Sequence, residues 1–370
     1  MKLPNHIPQL DVLRGLAVLN VMLYHITDLA PNLQLRPFFR LGYTGVDLFF
    51  VLSGFLITGI LVRTRENEGY FTNFYARRVL RIWPLYYALL LFTFVLLPAI
   101  QPQLRAAIFT QSHPWQSFPF FLQNLFLNGH AYDTLRVTWS LAIEEQFYLV
   151  WPIVVWLAPR RMLKPLAVSG LLVSVALRWS VVYGLIPPVN IYTNTLTRLD
   201  GLALGSFLAL WIPEVSSRKV KWTGIAVLAV AVPSTLAIAW WHEGHWSFYS
   251  LIALSFAGLL CLGINIQRAA NLEFLKYTGK ISYCLYLVHV PICSLLNLPR
   301  VHELLQMRSA IWSDAVRFVV SFVLCYALAS ASWYFFESRI LLLKSHFEFR
   351  TSPAEPEPAV VSASTGSIHP

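Results

Sequence analysis

Apolar runs of near 20 residues recur along the whole chain, and their length decides what it can fold into. A run of this length crosses a bilayer as a helix, with its backbone hydrogen bonds satisfied internally. The runs fall at about 9–29, 43–62, 80–100, 138–157, 166–185, 197–212, 222–241, 248–266, 281–298 and 314–336. They do not read as the alternating ten-residue segments that a membrane β-barrel needs. Only 12% of the residues are charged, against about 25% in soluble domains. The expected fold is therefore all-α: a polytopic integral membrane protein of about ten transmembrane helices, occupying residues 1–345. Residues 346–370, rich in Pro, Ser and Ala, are expected to form a disordered cytoplasmic tail. The longest connection, Gln101 to Val137, contains an apolar piece (FPFFLQNLFL) expected to lie at the interface or to re-enter. The two halves share no inverted repeat, which disfavours the common transporter designs.

The formal net charge of +10 invites a nucleic-acid reading, but its distribution argues otherwise. Lys and Arg sit in short clusters between apolar runs, as topology signals do. With the N-terminus inside, the inner segments collect most of them, from Arg63, Arg65, Arg77, Arg78 and Arg81 to Arg339 and Lys344. The outer loops hold chiefly Arg36, Arg40, Arg105, Arg136, Arg300 and Arg308. Both termini are accordingly expected in the cytoplasm, with no nucleic-acid partner. The four cysteines fall in or beside apolar runs and have neither metal-site nor disulfide spacing, so no metal is expected. The first run contains charges where a signal-peptide core has none, so it is read as a retained span.

Those charges are informative. Asp11, Arg14 and His25 all lie within the first run (QLDVLRGLAVLNVMLYHITDL). At about 100° per residue, Arg14 and His25 are only about 20° apart around the helix, with a rise of roughly 16 Å between them. An ionisable group at membrane depth is costly and points to function. Two levels emerge. Arg14, Arg78 and Arg81 lie at the cytoplasmic level, whereas His25, Asp47, Glu144, Glu145, Arg178, Arg198, Asp200 and Arg317 lie nearer the outside.

Each group has a plainer reading. Asp47 in GYTGVDLFFVLSGFLITGIL can be an interfacial aspartate on a packed helix. Arg78 and Arg81, one turn apart, can be topology signals, or a guanidinium fork for phosphate. Glu144 and Glu145 point about 100° apart, so at most one faces a given partner, and one can pair with a buried arginine such as Arg178. His289 reads best as a packed, hydrogen-bonded histidine. Gly201 and Gly205 form a small-residue packing face. For His25, an imidazole with a pKa near about 6.5 suits proton abstraction from a hydroxyl, with Asp47 available to orient it.

Taken together, LDVLRGLAVLNVMLYHI, GVDLFFVLSGFLI, FYARRVLRIWP, WSLAIEEQFYLVWP, RLDGLALGS and ISYCLYLVH resemble the integral-membrane acyltransferase family 3, in the family's order. The similarity runs from Gln9 to about Glu337. It implies a ten-helix core and O-acylation of a carbohydrate or glycosylated small molecule. The donor would be a cytoplasmic acyl-CoA, acetyl-CoA being the best candidate, used as a co-substrate with no tightly bound cofactor. It also implies that His25 is the essential catalytic residue, with Arg14, Arg78 and Arg81 serving the donor. Asp47, Glu144 and Glu145 complete the candidate catalytic set. The acceptor is expected at the outer face as a carbohydrate or a lipid-linked saccharide, and the protein in the inner (plasma) membrane among lipid. The competing reading is a proton-coupled transporter or flippase that uses the same buried ionisable groups as a relay.

Overall fold

The computed structural model describes residues 7–100, 115–126, 133–241, 245–267 and 271–349. Every regular element among them is helical. Each of the ten expected runs is a helix, but they differ in kind. Seven are long and apolar enough to cross a membrane: 8–29, 36–64, 70–99, 138–157, 160–182, 217–240 and 310–347. They contain α1 (Pro8–Ile26), α2 (Gly45–Thr64), α3 (Tyr70–Leu91), α4 (Thr138–Leu157) and α5 (Leu163–Val182). The remaining short and long members follow in order as α6 (Leu199–Trp211), α7 (Ser217–Trp241), α8 (Phe248–Gly263), α9 (Glu273–Lys280), α10 (Ser282–Leu296) and α11 (Ala310–Ser332). An eighth span results if α9 and α10, bent by 75° at their junction, count as one broken crossing.

The short α6 is an inner helix, with most of its residues buried. With 13 residues, α6 is about 20 Å long, too short to cross the hydrocarbon alone. It is held inside by backbone contact with α2, which glycine permits. A Cβ built on Gly205 would lie 2.0 Å from the Val51 carbonyl oxygen, and one on Gly54 2.0 Å from that of Leu202. The Gly201–Gly205 face thus does pack, against Phe50 and Val51 of α2. Gly279 plays the same part between α9 and α1, where a Cβ would meet the Asp11 carbonyl oxygen at 1.9 Å. Outward faces of α5, α7 and α11 keep Leu172, Val230, Val319 and Val323 exposed, as lipid-facing helices do.

The apolar piece expected to re-enter folds inward as far as it is described. Tyr86 and Tyr87 of α3 donate to the Phe118 and Pro119 carbonyls at 2.9 and 2.7 Å. Buried Gln123 donates to the Thr138 carbonyl at 2.9 Å, pinning the segment to the start of α4. Of the tail expected over 346–370, residues 350–370 lie outside the described residues. Residues just before them are docked rather than loose: Arg77 donates to the Phe347 carbonyl at 3.2 Å and Asn73 to that of Glu348 at 3.0 Å.

Replacing Gly205 with Val should force α2 and α6 apart. The expected loss is at least the ~1–3 kcal/mol typical of overpacking, seen as an earlier thermal unfolding midpoint in detergent micelles. At Gly59 an added Cβ meets only the Arg63 guanidinium, at 3.6 Å. Gly59→Ala should therefore stay within about 0.5 kcal/mol of the parent.

Candidate active site

Two cavities lie in tandem along α1. One, with about 760 Å³ of empty space, is lined by Arg14 of α1, Arg78 and Arg81 of α3, Ser53 of α2, and Glu144 and Tyr148 of α4. The other, with about 1140 Å³, is lined by His25 and Tyr24 of α1 together with Tyr43, Arg136, Trp139, Tyr192 and Tyr249. Val46 and Tyr286 line both and form the partition between them. The Tyr286 hydroxyl is anchored there, donating to the Val137 carbonyl at 2.9 Å and lying 2.6 Å from the Ser140 hydroxyl.

The lining of the first cavity is strongly cationic. Its three guanidinium groups face one carboxylate, Glu144. Arg14 is 3.6 Å from Asp11, and Arg81 is 3.8 Å from Glu337. Both separations are longer than a hydrogen bond. Among the described residues the buried Arg78 Nε has no hydrogen-bond partner, and its guanidinium lies over the Phe74 and Tyr148 rings, each 5.9 Å from the ring centre. Planar forks of this kind suit phosphate oxygens.

The second cavity is organised around a pair of histidines. His25 Nδ1 is 2.9 Å from the Val21 carbonyl oxygen and 3.3 Å from Nε2 of His289 on α10. His289 Nδ1 in turn lies 3.1 Å from the Leu285 carbonyl oxygen. A carbonyl only accepts, so each Nδ1 carries the proton. His289 Nε2 then offers a lone pair to the His25 N–H, which Val21 shares. His25 Nε2 is left as the unprotonated nitrogen available to the chamber, the state a general base needs. His289 is fully buried. It is packed and hydrogen-bonded, as its sequence suggests, and its partner across the bundle is His25.

Several expected pairings form differently. Asp47 does not orient His25: its Oδ1 accepts from Arg198 at 2.8 Å, with both side chains buried. The cause is the close approach of α2 and α6, which sets Arg198, at the start of α6, beside Asp47. Neither glutamate pairs with Arg178, which instead donates to Asp200 at 2.9 Å and to the Trp246 carbonyl at 2.8 Å. Glu144 faces the arginine cavity rather than the His25 chamber and accepts from Ser53 at 2.6 Å and Tyr148 at 3.2 Å. Glu145 turns away about a quarter-turn further on and accepts from Trp83 Nε1 at 3.0 Å. Arg317 pairs with Asp314 and His302, apart from both cavities. Tyr286 was not singled out in the sequence, and His289 was read there as a packed residue without its partner. Both lie in one apolar run, and only the fold brings them against His25 of α1 and Ser140 of α4. Among the described residues, no group of His, Cys, Asp and Glu is arranged to hold a metal ion.

The fold and site define a multi-pass membrane protein in which an intramembrane histidine stands beyond an arginine-lined anion cavity. The chain belongs to acyltransferase family 3, whose acyltransferase domain matches residues 7–333. It is 32% identical over 328 residues to the O-acetyltransferase OatA of Staphylococcus aureus strain NCTC 8325, covering 80% of this chain and 52% of that protein. It is 31% identical over 369 residues to the peptidoglycan O-acetyltransferase OatA of Listeria monocytogenes, covering 90% and 56%. A putative peptidoglycan O-acetyltransferase of Bacillus subtilis, YrhL, is 29% identical over 367 residues, covering 90% and 55%. The chain thus spans about half the length of these curated relatives. No solved structure matches it.

Removing one partner of a buried ion pair strands the other, at a cost of about 3–5 kcal/mol. Asp47→Leu should therefore lower the unfolding midpoint sharply, whereas Asp47→Leu combined with Arg198→Met should recover much of the loss. If the double variant is no more stable than the single one, the pair is not the source of the effect.

Proposed function

We propose that the protein is an O-acyltransferase that moves an acyl group, acetyl being the best candidate, from acyl-CoA to an acceptor hydroxyl. The observation that carries this reading is the tandem arrangement: a phosphate-suited cavity and a base-bearing chamber separated by one partition, Val46 and Tyr286. In this reading Arg14, Arg78 and Arg81 hold the phosphates of the donor at the cytoplasmic level. The slender pantetheine arm passes the partition and brings the thioester towards His25, which stands roughly 16 Å above Arg14 along the helix. His25 Nε2 takes the proton of the acceptor hydroxyl as its oxygen attacks the thioester carbonyl. The C–O bond forms, the C–S bond breaks, and the proton passes from His25 to the departing thiolate. The His289 lone pair and the Val21 carbonyl hold the ring and stabilise the positive charge it carries meanwhile. Glu144, between Ser53 and Tyr148, balances part of the arginine charge.

The relatives' names support acetyl as the group moved and peptidoglycan, a carbohydrate polymer, as the class of acceptor. The positive-inside pattern supports both termini in the cytoplasm. The histidine pair also supports a second reading, a proton-coupled transporter, in which the two rings pass a proton between them.

Thiol release from acetyl-CoA by the purified protein in nanodiscs separates these readings. His25→Ala should reduce release by at least ~100-fold, the scale of a lost general base. Arg81→Ala should raise the donor KM with little change in kcat, because binding to the phosphates is equal in ground and transition states. Proton-driven uptake with no CoA released would favour the transporter. For His289, loss of an orienting hydrogen bond worth ~1 kcal/mol predicts a fall of several-fold to tenfold in kcat for His289→Ala. The donor KM should be unmoved, and His289→Gln, which restores an acceptor, should recover part of the rate.

A further inference from the structure

The last helical turns of the described chain reach the arginine-lined cavity from beyond the residues that match the family's domain. The helix that begins with α11 continues through Trp333–Glu337 and Ser338–Leu342 into a final turn, Leu343–Phe347. The family match ends at residue 333, yet Glu337 stands 3.8 Å from Arg81. Lys344 follows Glu337 by seven residues, close to two helical turns. Both side chains therefore point within about 20° of one direction, towards α3.

Arg77 anchors this strap. Its Nη1 donates to the Lys344 and Phe347 carbonyls at 3.3 and 3.2 Å, and Asn73, one turn earlier on α3, donates to the Glu348 carbonyl at 3.0 Å. The last carbonyls of a helix have no partner within it, and a cation there also meets the negative end of the helix dipole. Arg77 is thus turned to the strap, whereas Arg78 and Arg81 line the cavity. Phe349, packed against the main core, closes the strap. The half-buried Lys344 is thereby held within charge–charge reach of Arg14, Arg77, Arg78 and Arg81. Its ammonium forms no ion pair among the described residues. A fifth cation in such a cluster is repelled by the other four, and a multivalent anion removes that repulsion while accepting charge-assisted hydrogen bonds.

We infer that Lys344, placed by the Arg77-anchored strap, binds the 3′-phosphate of the CoA donor, while Arg14, Arg78 and Arg81 hold its pyrophosphate. This inference rests on the acyl-CoA reading above and adds to it a donor-specificity residue and the residue that positions it. The chemistry of the donor sets the order. The pantetheine arm leaves from the pyrophosphate and runs towards His25, so the 3′-phosphate is the charged group furthest from the thioester. On the protein side, Trp83 meets Glu145 of α4 and Tyr75 meets Leu149, while Ser140 of α4 touches the partition. Going from Arg81 back to Arg77 therefore leads away from His25, and Lys344 lies at that far end. A phosphomonoester carries nearly two negative charges near neutral pH, and the ammonium meets it as a compact point charge.

The test is equilibrium binding of CoA and of 3′-dephospho-CoA to the full chain in phosphatidylcholine nanodiscs, which needs no acceptor and adds no anionic lipid. The parent protein should bind CoA at least tenfold more tightly than the dephospho form, and this ratio should shrink as salt rises. In Lys344→Gln the ratio should fall to about one, while Lys344→Arg should keep most of it. Arg77→Gln, which frees the strap, should lose the ratio as Lys344→Gln does, and the double variant should lose no more. Each ratio compares two ligands on one protein, so a variant of lowered stability still reports it. A parent ratio near one, or a ratio unchanged in Lys344→Gln, would overturn the inference and leave donor binding by the three arginines standing. A ratio unchanged in Arg77→Gln would overturn the placing of Lys344 by the strap. Failure of CoA itself to bind would instead sink the acyl-CoA reading, and the inference with it.

Discussion

A guanidinium buried among aromatic rings and closed by one carboxylate organises the half of this protein that holds His25. Arg198 and Asp47 are both inaccessible, at membrane depth, where an uncompensated charge is among the most expensive features a protein can carry. The arrangement survives because each need is met differently. One Arg198 nitrogen donates to Asp47, whereas Nε and Nη1 have no hydrogen-bond partner and face the rings of Tyr249, Tyr192 and Trp139 instead. Cation–π attraction strengthens when the cation is desolvated, so the rings serve where a carbonyl would otherwise be needed. A second buried pair, Arg178 with Asp200, ties α5 and the start of α6 to Trp246 and Ser250 at the start of α8. Together the two pairs set the position of α6, and with it the aromatic wall of the His25 chamber.

The half around the arginine-lined cavity rests on a different balance. There the arginines are only loosely matched: separations of 3.6 and 3.8 Å to Asp11 and Glu337 leave guanidinium donors over. Arg198 is fully enclosed, whereas Arg14, Arg78 and Arg81 are gathered around open space. Tyr286 stands where these halves meet. Its hydroxyl is held by Val137 and Ser140, so opening the partition means giving up two hydrogen bonds at one side chain rather than moving a helix.

Much of this was legible in the residues alone. All ten helical runs could be placed from apolar length, and the angular spacing of Arg14 and His25 set them on one face of α1, where each lines a cavity. The small-residue face at Gly201 and Gly205 was recoverable from its spacing. The pairings were not. Asp47 was matched to His25 by depth, and Glu144 to the outer level by its position along α4. Depth gives one coordinate of three, and the choice among partners at one level depends on rotation and on which helices touch. Asp47 and Arg198 are 151 residues apart, and His25 and His289 are 264 apart. Nothing local to either member records the other.

By itself, then, the sequence determined that this chain is a helical membrane protein, and that its first helix carries a histidine and an arginine on one face, with two further arginines at the start of α3. These follow from apolar length, from helical periodicity and from the cost of charge in hydrocarbon, all of which act within a single segment. The tertiary structure alone decided that His25 is held by His289 rather than by Asp47, and that Asp47 belongs to Arg198. It also decided that Glu144 serves the inner cavity and that Tyr286 and Val46 divide the two spaces. Those outcomes depend on how closely α2 meets α6 and how α10 rotates against α1. Such contacts are set by glycine positions and side-chain packing between segments, and they form only when the whole bundle has assembled.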